Sequence, residues 1–278
     1  MGTGQILLLG AIAGSTIFLG LPIARMKSVS MAVKGFMSAT ATGVLIFLLW
    51  DVLSAAVGPV ETALKAGRDG RFAWLATLLT AGFAVGLLSL AFYDGWLKRR
   101  RNRALLGPGA ASVAEFEQER HLHTTLSTSR WLAIFIAIGI GLHNFAEGLA
   151  IGQSAAANEL SLAIALIAGF GLHNATEGFG IVAPLTDDKD PPSWGFLGLL
   201  GLIGGAPTFI GTVVGQAWVS EAVSIVFLAL AAGSILFVVA ELIPVCRRMA
   251  SKELVLSGIL LGVFLGFATD FVLVASGA

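Results

Sequence analysis

From Trp131 to Thr186 the chain carries no Lys or Arg, and the stretch divides into two apolar runs, each of a length that crosses a bilayer. No water reaches the bilayer core to satisfy a bare backbone, so runs of this kind must close their hydrogen bonds internally, as helices. Composition extends the reading to the whole chain. Of its residues 56% are hydrophobic and 12% charged, against about 25% charged in soluble domains. Mean hydropathy is +0.88. The fold class is therefore an all-α polytopic membrane protein, one membrane domain over 1–278, in the cell membrane (the inner membrane if the source is bacterial). There are 35 Gly in 278 residues, and small residues are what lets helices approach closely in lipid. The formal net charge is zero, which gives nucleic acid no electrostatic handle and leaves the bilayer as the evident surrounding partner.

Apolar run length divides the chain into eight spans. They are Gln5 to Ala24, Ala32 to Trp50, Phe72 to Tyr93, Trp131 to Gln153, Leu160 to Ala183, Trp194 to Ala217, Val223 to Pro244 and Leu254 to Ala275. The first lacks the basic leader and small-residue cleavage site of a secretory signal, so it reads as a mature helix, bent at its end by Pro22. A short mixed loop, Asp51 to Arg71, is expected after the second span. A long polar segment, 94–130, follows the third, with a short helix expected around Ala114 to Arg120. The sixth span is interrupted in sequence by Gly204-Gly205-Ala206-Pro207, and Pro207 should kink it near mid-membrane.

Cations fix the expected orientation. With the amino terminus outside, the inner loops hold Arg25, Lys27, Lys34, the basic run Lys98 to Arg103, Arg120, Arg130, Lys189, Arg247, Arg248 and Lys252. That is 14 of the 17 basic residues. Both termini then face outward, because basic residues concentrate on the cytoplasmic side. The 94–130 loop is cytoplasmic on this reading, and Asp51 and Asp270 lie toward the outer side.

Within the fourth and fifth spans one motif is written twice. Gly141-Leu142-His143-Asn144-Phe145-Ala146-Glu147-Gly148 and Gly171-Leu172-His173-Asn174-Ala175-Thr176-Glu177-Gly178 both read G-L-H-N-x-x-E-G, 30 residues apart. A His and a Glu at i and i+4 share one helix face, about 6 Å apart along the axis. The tight connection forces the two helices antiparallel, so their motif faces can meet. Two uncompensated carboxylates at this depth would cost several kcal/mol, and no cation in either span offsets them. A divalent cation held by two neutral imidazoles and two carboxylates makes a complex of zero net charge. Zn²⁺ suits that ligand set, as do Fe²⁺, Mn²⁺ and related ions. Asn144 and Asn174 can add carbonyl oxygens or orient the other ligands. The single Cys246 excludes a multi-thiolate site within one chain.

These motifs resemble those of the ZIP (Zrt-, Irt-like) family of divalent metal transporters. The resemblance rests on H-N-x-x-E-G in the fourth and fifth of eight spans, on the histidine-bearing basic loop after the third, and on the Ala232-Gly233 through Glu241-Leu242-Ile243-Pro244 ending of the seventh. It implies uptake of zinc, iron, manganese, cadmium or related metals into the cytoplasm, with the metal as transported substrate and no catalytic cofactor. It also implies alternating access in which spans one, four, five and six move against the rest. The metal-site residues carried by the motifs are His143, Asn144, Glu147, His173, Asn174 and Glu177. Many members have Pro where this chain has Ala146 and Thr176. Members with two adjacent metal sites carry acids where this chain has Asn174 and Ala206, so one metal site is expected.

Four further residues stand beside this site as candidate pathway groups. His121 and His123 are either ordinary loop residues or a weak cytosolic acceptor of released metal. Glu241 either caps its helix end or touches the exit path. Asp270 either receives incoming cations or bonds a neighbouring helix. Two other classes stay open. An intramembrane zinc hydrolase would also use His and acidic ligands, but H-E-x-x-H is absent. A bis-His haem protein would use His143 and His173 and leave both Glu residues without a purpose. An enzyme is not expected. A homodimer stays open, with no interface identified.

Overall fold

The computed structural model describes residues 3–104, 126–156, 160–188, 190–217 and 220–275. Among these are eight α-helices and no strand: α1 Thr3–Ser15, α2 Met31–Lys65, α3 Asp69–Ala104, α4 Thr128–Ala156, α5 Leu160–Val182, α6 Trp194–Ala217, α7 Glu221–Met249 and α8 Lys252–Ala275. Short 3₁₀ turns at Thr16–Leu19 and Leu21–Arg25 extend α1, and another at Ala183–Asp187 extends α5. By length and composition, seven described stretches can cross a membrane: α1 with its 3₁₀ extension, α2, α3, α4, α6, α7 and α8. The chain is thus a polytopic membrane protein. The eight-span expectation has seven counterparts by this measure, and α5 is the helix outside it.

Helix ends depart from the apolar runs in both directions. The expected loop from Asp51 to Arg71 is instead mostly helix, because α2 continues to Lys65 and α3 starts at Asp69. Lys65 Nζ contacts Glu61 at 2.9 Å, one turn back, an exposed pairing of the kind that supports a helix after its apolar face has ended. The stop comes at Gly67, which takes φ +64°. There the Arg68 N–H donates to the Ala63 carbonyl and the Gly67 N–H to Leu64, the pairing that closes a helix on a left-handed glycine. The segment expected to be polar loop from Asp94 is helical as far as Ala104, since Arg and Lys are good helix formers. The short helix expected around Ala114 to Arg120 lies outside the described residues. α1 stops earlier than its apolar run, and Pro22 sits in the first turn of the second 3₁₀ piece. Pro207 lies inside α6, which stays helical through it.

Two sets of helices are joined by backbone-close seams. In the first set α4 packs chiefly on α6, and α1 on α6 and α5. A methyl at Gly152 would meet the Thr212 carbonyl oxygen at 2.4 Å, and one at Gly14 the Gly205 carbonyl at 2.3 Å. The carbonyl of Ile203, which Pro207 deprives of its helical donor, is covered by Gly141, where a methyl would come to 2.4 Å. In the second set α2 packs on α8 and α7, and α3 on α7. Gly43 faces Gly262 across α2 and α8, and Gly86 faces Leu230 across α3 and α7. Contacts between the sets run mainly through α4 against α7 and α2 against α5. The largest apolar cluster, with Leu45, Phe135, Ile140, Ile181, Ile235 and Leu242 among its members, fills the space where the sets meet.

Candidate metal centre

His143 lies 13 residues before the end of α4 and His173 lies 13 residues after the start of α5. Across a short antiparallel connection these positions fall at one depth. The ring centroids of the two histidines are 6.1 Å apart. His143, Asn144, Glu147, His173, Asn174 and Glu177 are all buried, so the structure brings together all six motif residues.

Glu147 occupies the middle. Its Oε1 lies 2.8 Å from Nε2 of His143 on the same helix and 2.6 Å from Nε2 of His173 on α5. The second contact is a hydrogen bond. The first is close but not aligned as one, and both ring nitrogens of His143 lack a hydrogen-bond partner. Glu177 stands 3.9 Å from Nε2 of His143. Both of its carboxylate oxygens are buried with no aligned donor. His143, His173 and Glu177 each offer a ligand atom within 4.8 Å of the other two, the spacing of a group that can hold one ion.

The two asparagines are oriented by backbone. Asn144 Nδ2 donates to the Gly204 carbonyl of α6 at 2.9 Å, and Asn174 Nδ2 donates to the Ala13 carbonyl of α1 at 3.2 Å. With each amide nitrogen held in this way, the Oδ1 atoms remain buried acceptors without a donor. Thr208, one residue beyond Pro207, adds a buried hydroxyl in the same condition. Sequence reasoning passed over Thr208, and a lone threonine in an apolar run carries no signal that would have found it.

An unpaired buried acceptor costs free energy, and an unpaired buried carboxylate costs more. Here several gather on α4, α5 and α6, with no Lys or Arg in α4 or α5 beyond Arg130 at the α4 start. Arg130 is engaged elsewhere, its Nε 3.0 Å from Asp188. Imidazole nitrogens and carboxylate oxygens without protein partners are the donor set of a divalent transition metal.

The remaining candidates lie elsewhere. Asp270, partly exposed on α8, is within electrostatic reach of Asp51 on α2, and Asp51 also senses His143, Glu147 and His173. Glu241 is half-buried on α7 and is not in the metal-holding group. His121 and His123 lie outside the described residues.

A cavity of about 90 Å³ adjoins the cluster on its α2 and α8 side. His173 and Thr176 of α5 line it, together with Val44, Phe47 and Leu48 of α2 and Leu265, Gly266 and Thr269 of α8.

A family model described as ZIP Zinc transporter matches residues 97–273. No curated protein matches the chain. The family match spans the repeated motif on α4 and α5, then α6, α7 and most of α8, and the chain belongs to the ZIP zinc transporter family.

Proposed function

We propose that this chain carries a divalent transition-metal cation, zinc foremost, across a membrane into the cytoplasm by alternating access around the buried His/Glu cluster. One observation carries the reading: Glu177 is fully buried beside two histidines, and neither of its carboxylate oxygens has an aligned donor. A divalent ion bridging Glu177, His143 and His173, with Glu147 turning to join them, supplies the missing charge. The resulting complex is neutral, so it can sit and move within an apolar surround at small electrostatic cost. Asn144 and Asn174 complete the shell through oxygens that the Gly204 and Ala13 carbonyls keep turned away from those carbonyls.

The remaining parts of the reading follow from the same arrangement. The chain forms one transport unit of eight spans over 1–278, with both termini outside, because that orientation leaves most cations on the inner side. One ion binds per chain. The α1, α4, α5 and α6 set bears the whole cluster and moves as a body, since its seams are backbone to backbone while its contacts with the α2, α3, α7 and α8 set are side-chain packing. Asp270, with Asp51, attracts cations at the outer side, and Glu241 lies toward the exit. The test is uptake of radiolabelled zinc by proteoliposomes containing the purified chain. Flux above that of empty vesicles, lost in His143→Ala and in Glu177→Ala, is the expected result. Flux undiminished in a double variant lacking both side chains would remove this cluster from the mechanism.

A further inference from the structure

α4 is held differently on two of its sides. Toward α6 it meets backbone: a methyl on Gly141 would come to 2.4 Å from the Ile203 carbonyl oxygen, and one on Gly148 to 2.1 Å from that of Thr208. Toward α7 it meets side chains. A methyl on Gly139 would meet Val238 Cγ2 at 2.5 Å, the Phe145 ring packs on Phe227 at 4.9 Å between centroids, and Gln153 Nε2 donates to Ser224 Oγ at 3.2 Å. α7 in turn is fixed to α3, where a methyl on Gly233 would come to 2.3 Å from the Phe83 carbonyl oxygen. Helix backbone cannot turn aside, whereas a side chain can change rotamer. The α7 side of α4 is therefore the side built to part.

Two hydroxyls on the boundary between the helix sets share an unusual arrangement. Ser234 of α7 is fully buried. Its Oγ lies 3.0 Å from the Gly139 carbonyl oxygen of α4 and 2.8 Å from the Ala231 carbonyl oxygen of its own helix. One proton thus faces two acceptors, one on each set. In an α-helix the Gly139 carbonyl also accepts the His143 N–H, four residues on, so the contact lands on the turn that carries His143. Thr186, in the 3₁₀ extension of α5, repeats the pattern. Its Oγ1 lies 3.0 Å from Met249 Sδ on α7 and 2.7 Å from the Ala183 carbonyl oxygen of its own turn. A buried donor stripped of its acceptor incurs a full desolvation penalty. Here each hydroxyl keeps an acceptor on its own element when the sets part, and Gly139 keeps the His143 N–H. Both contacts can break without leaving a bare donor.

We propose, on the reading above that the α1, α4, α5 and α6 set moves against the other, that Ser234 and Thr186 are releasable ties between the sets: each hydroxyl bonds across the boundary in this conformation and falls back on its own element when the boundary parts. Ser234 is a positioning residue, since it reaches His143 only through the Gly139 turn. Its tie holds that turn against α7, a helix that α3 keeps in place. Thr186 does the same for the end of α5, the other helix of the cluster. The two ties lower the free energy of the conformation seen here, yet neither adds the cost of an orphaned buried donor to the conformation that follows.

The experiment reads conformation rather than flux. In a Cys246→Ala background, spin labels are attached through Thr128→Cys and Arg247→Cys, exposed positions near the adjoining ends of α4 and α7. The full chain in lipid nanodiscs is then measured by pulsed dipolar spectroscopy. Ser234→Ala and Thr186→Val should each raise the ratio of parted to tied distance populations about two- to fivefold. That is the lower part of what one hydrogen bond contributes, because each hydroxyl has a second acceptor. The double variant should exceed either. Ser257→Ala removes a hydroxyl bonded to the Glu253 carbonyl of its own helix, and should leave the ratio at the parent value. A double variant whose ratio matches the parent's, or a Ser257→Ala shift as large as that of Ser234→Ala, would overturn the ties. Should Ser234→Ala aggregate, Thr186→Val decides alone. Zinc uptake absent from the parent, with the ratio still answering to Ser234 and Thr186, would sink the transport reading and leave the ties standing. Uptake intact with an unmoved ratio would do the reverse.

Discussion

Oε1 of Glu147 approaches Nε2 of His173 to 2.6 Å, joining α4 to α5 through one carboxylate oxygen. That oxygen is also 2.8 Å from Nε2 of His143, so Glu147 stands between the two imidazoles. A metal ion bound by both histidines needs that space, and Glu147 must turn so that it binds the ion instead of the rings. Replacing it by Gln keeps the size and the hydrogen-bonding reach and removes the charge. Glu147→Gln should weaken zinc binding at least as much as losing a supporting contact to a metal ligand does, about 10- to 100-fold. Isothermal titration of zinc into purified protein measures this, and uptake in proteoliposomes should fall with it. Affinity matching the parent would show that Glu147 is not a ligand.

Protons compete for the same atoms. Imidazole binds metal through a neutral nitrogen and carboxylate through an ionised oxygen, so each ligand that picks up a proton is withdrawn from the site. Zinc affinity should therefore fall as pH is lowered and rise as it is raised, with protons released to solvent on binding. Measuring the binding enthalpy in buffers of different ionisation enthalpy counts the released protons. In His143→Ala the count should drop. An affinity that is flat or rising toward acid would contradict an imidazole–carboxylate site.

The repeat was readable because its logic is local: His and Glu four residues apart share a helix face whatever the helix packs against, and both copies do meet. The helix ends were not readable from hydropathy. Apolarity reports which residues meet lipid or core, whereas α2 runs on to Lys65 on helix propensity and stops at a left-handed Gly67. Nor could hydropathy show that Gly141 lies against the Ile203 carbonyl that Pro207 leaves without a donor, within an α6 that stays helical. Partners of Asn144 and Asn174 were out of reach for another reason. Both are backbone carbonyls, Gly204 and Ala13, and a carbonyl leaves no trace in residue identity. Nor does spacing reveal that Glu147, rather than Glu177, would sit between the rings.

The proposal of one ion per chain turns on charge at two positions. Asn174 and Ala206 are uncharged, so the cluster has two carboxylates, which balance one divalent cation. Zinc titration should give one ion per chain. Adding charge through Asn174→Asp together with Ala206→Glu supplies two more carboxylates, enough to neutralise a second cation. The stoichiometry of the double variant should rise toward two, and metal content by plasma emission spectrometry should rise with it. A parent that already binds two ions tightly at the cluster would refute the single-site reading.

The seam between α4 and α6 should govern stability separately from binding. Gly152 lies one turn beyond Gly148 on α4, away from the ligands, and a methyl there would come to 2.4 Å from the Thr212 carbonyl oxygen and 2.8 Å from the Gln216 nitrogen. Both are backbone atoms in a helix, which cannot rotate aside as a side chain can. Gly152→Ala should therefore push α4 and α6 apart and cost about 1–3 kcal/mol, the usual range for overpacking. Gly198, also in α6, has nothing within 4 Å of the same added atom. There the Ala variant should be neutral or more stable by about 0.5–1 kcal/mol, because alanine favours the helix over glycine. Thermal unfolding in detergent compares the two. The physical reason to expect a gap is that one methyl meets backbone and the other meets open space, so equal melting temperatures would mean that α4 and α6 are not in close contact at Gly152. Zinc saturation should raise the midpoint of both variants, since an ion that binds only the folded chain stabilises it by mass action. A midpoint for Gly152→Ala that is lowered yet still responsive to zinc would separate the packing of the seam from the chemistry of the site.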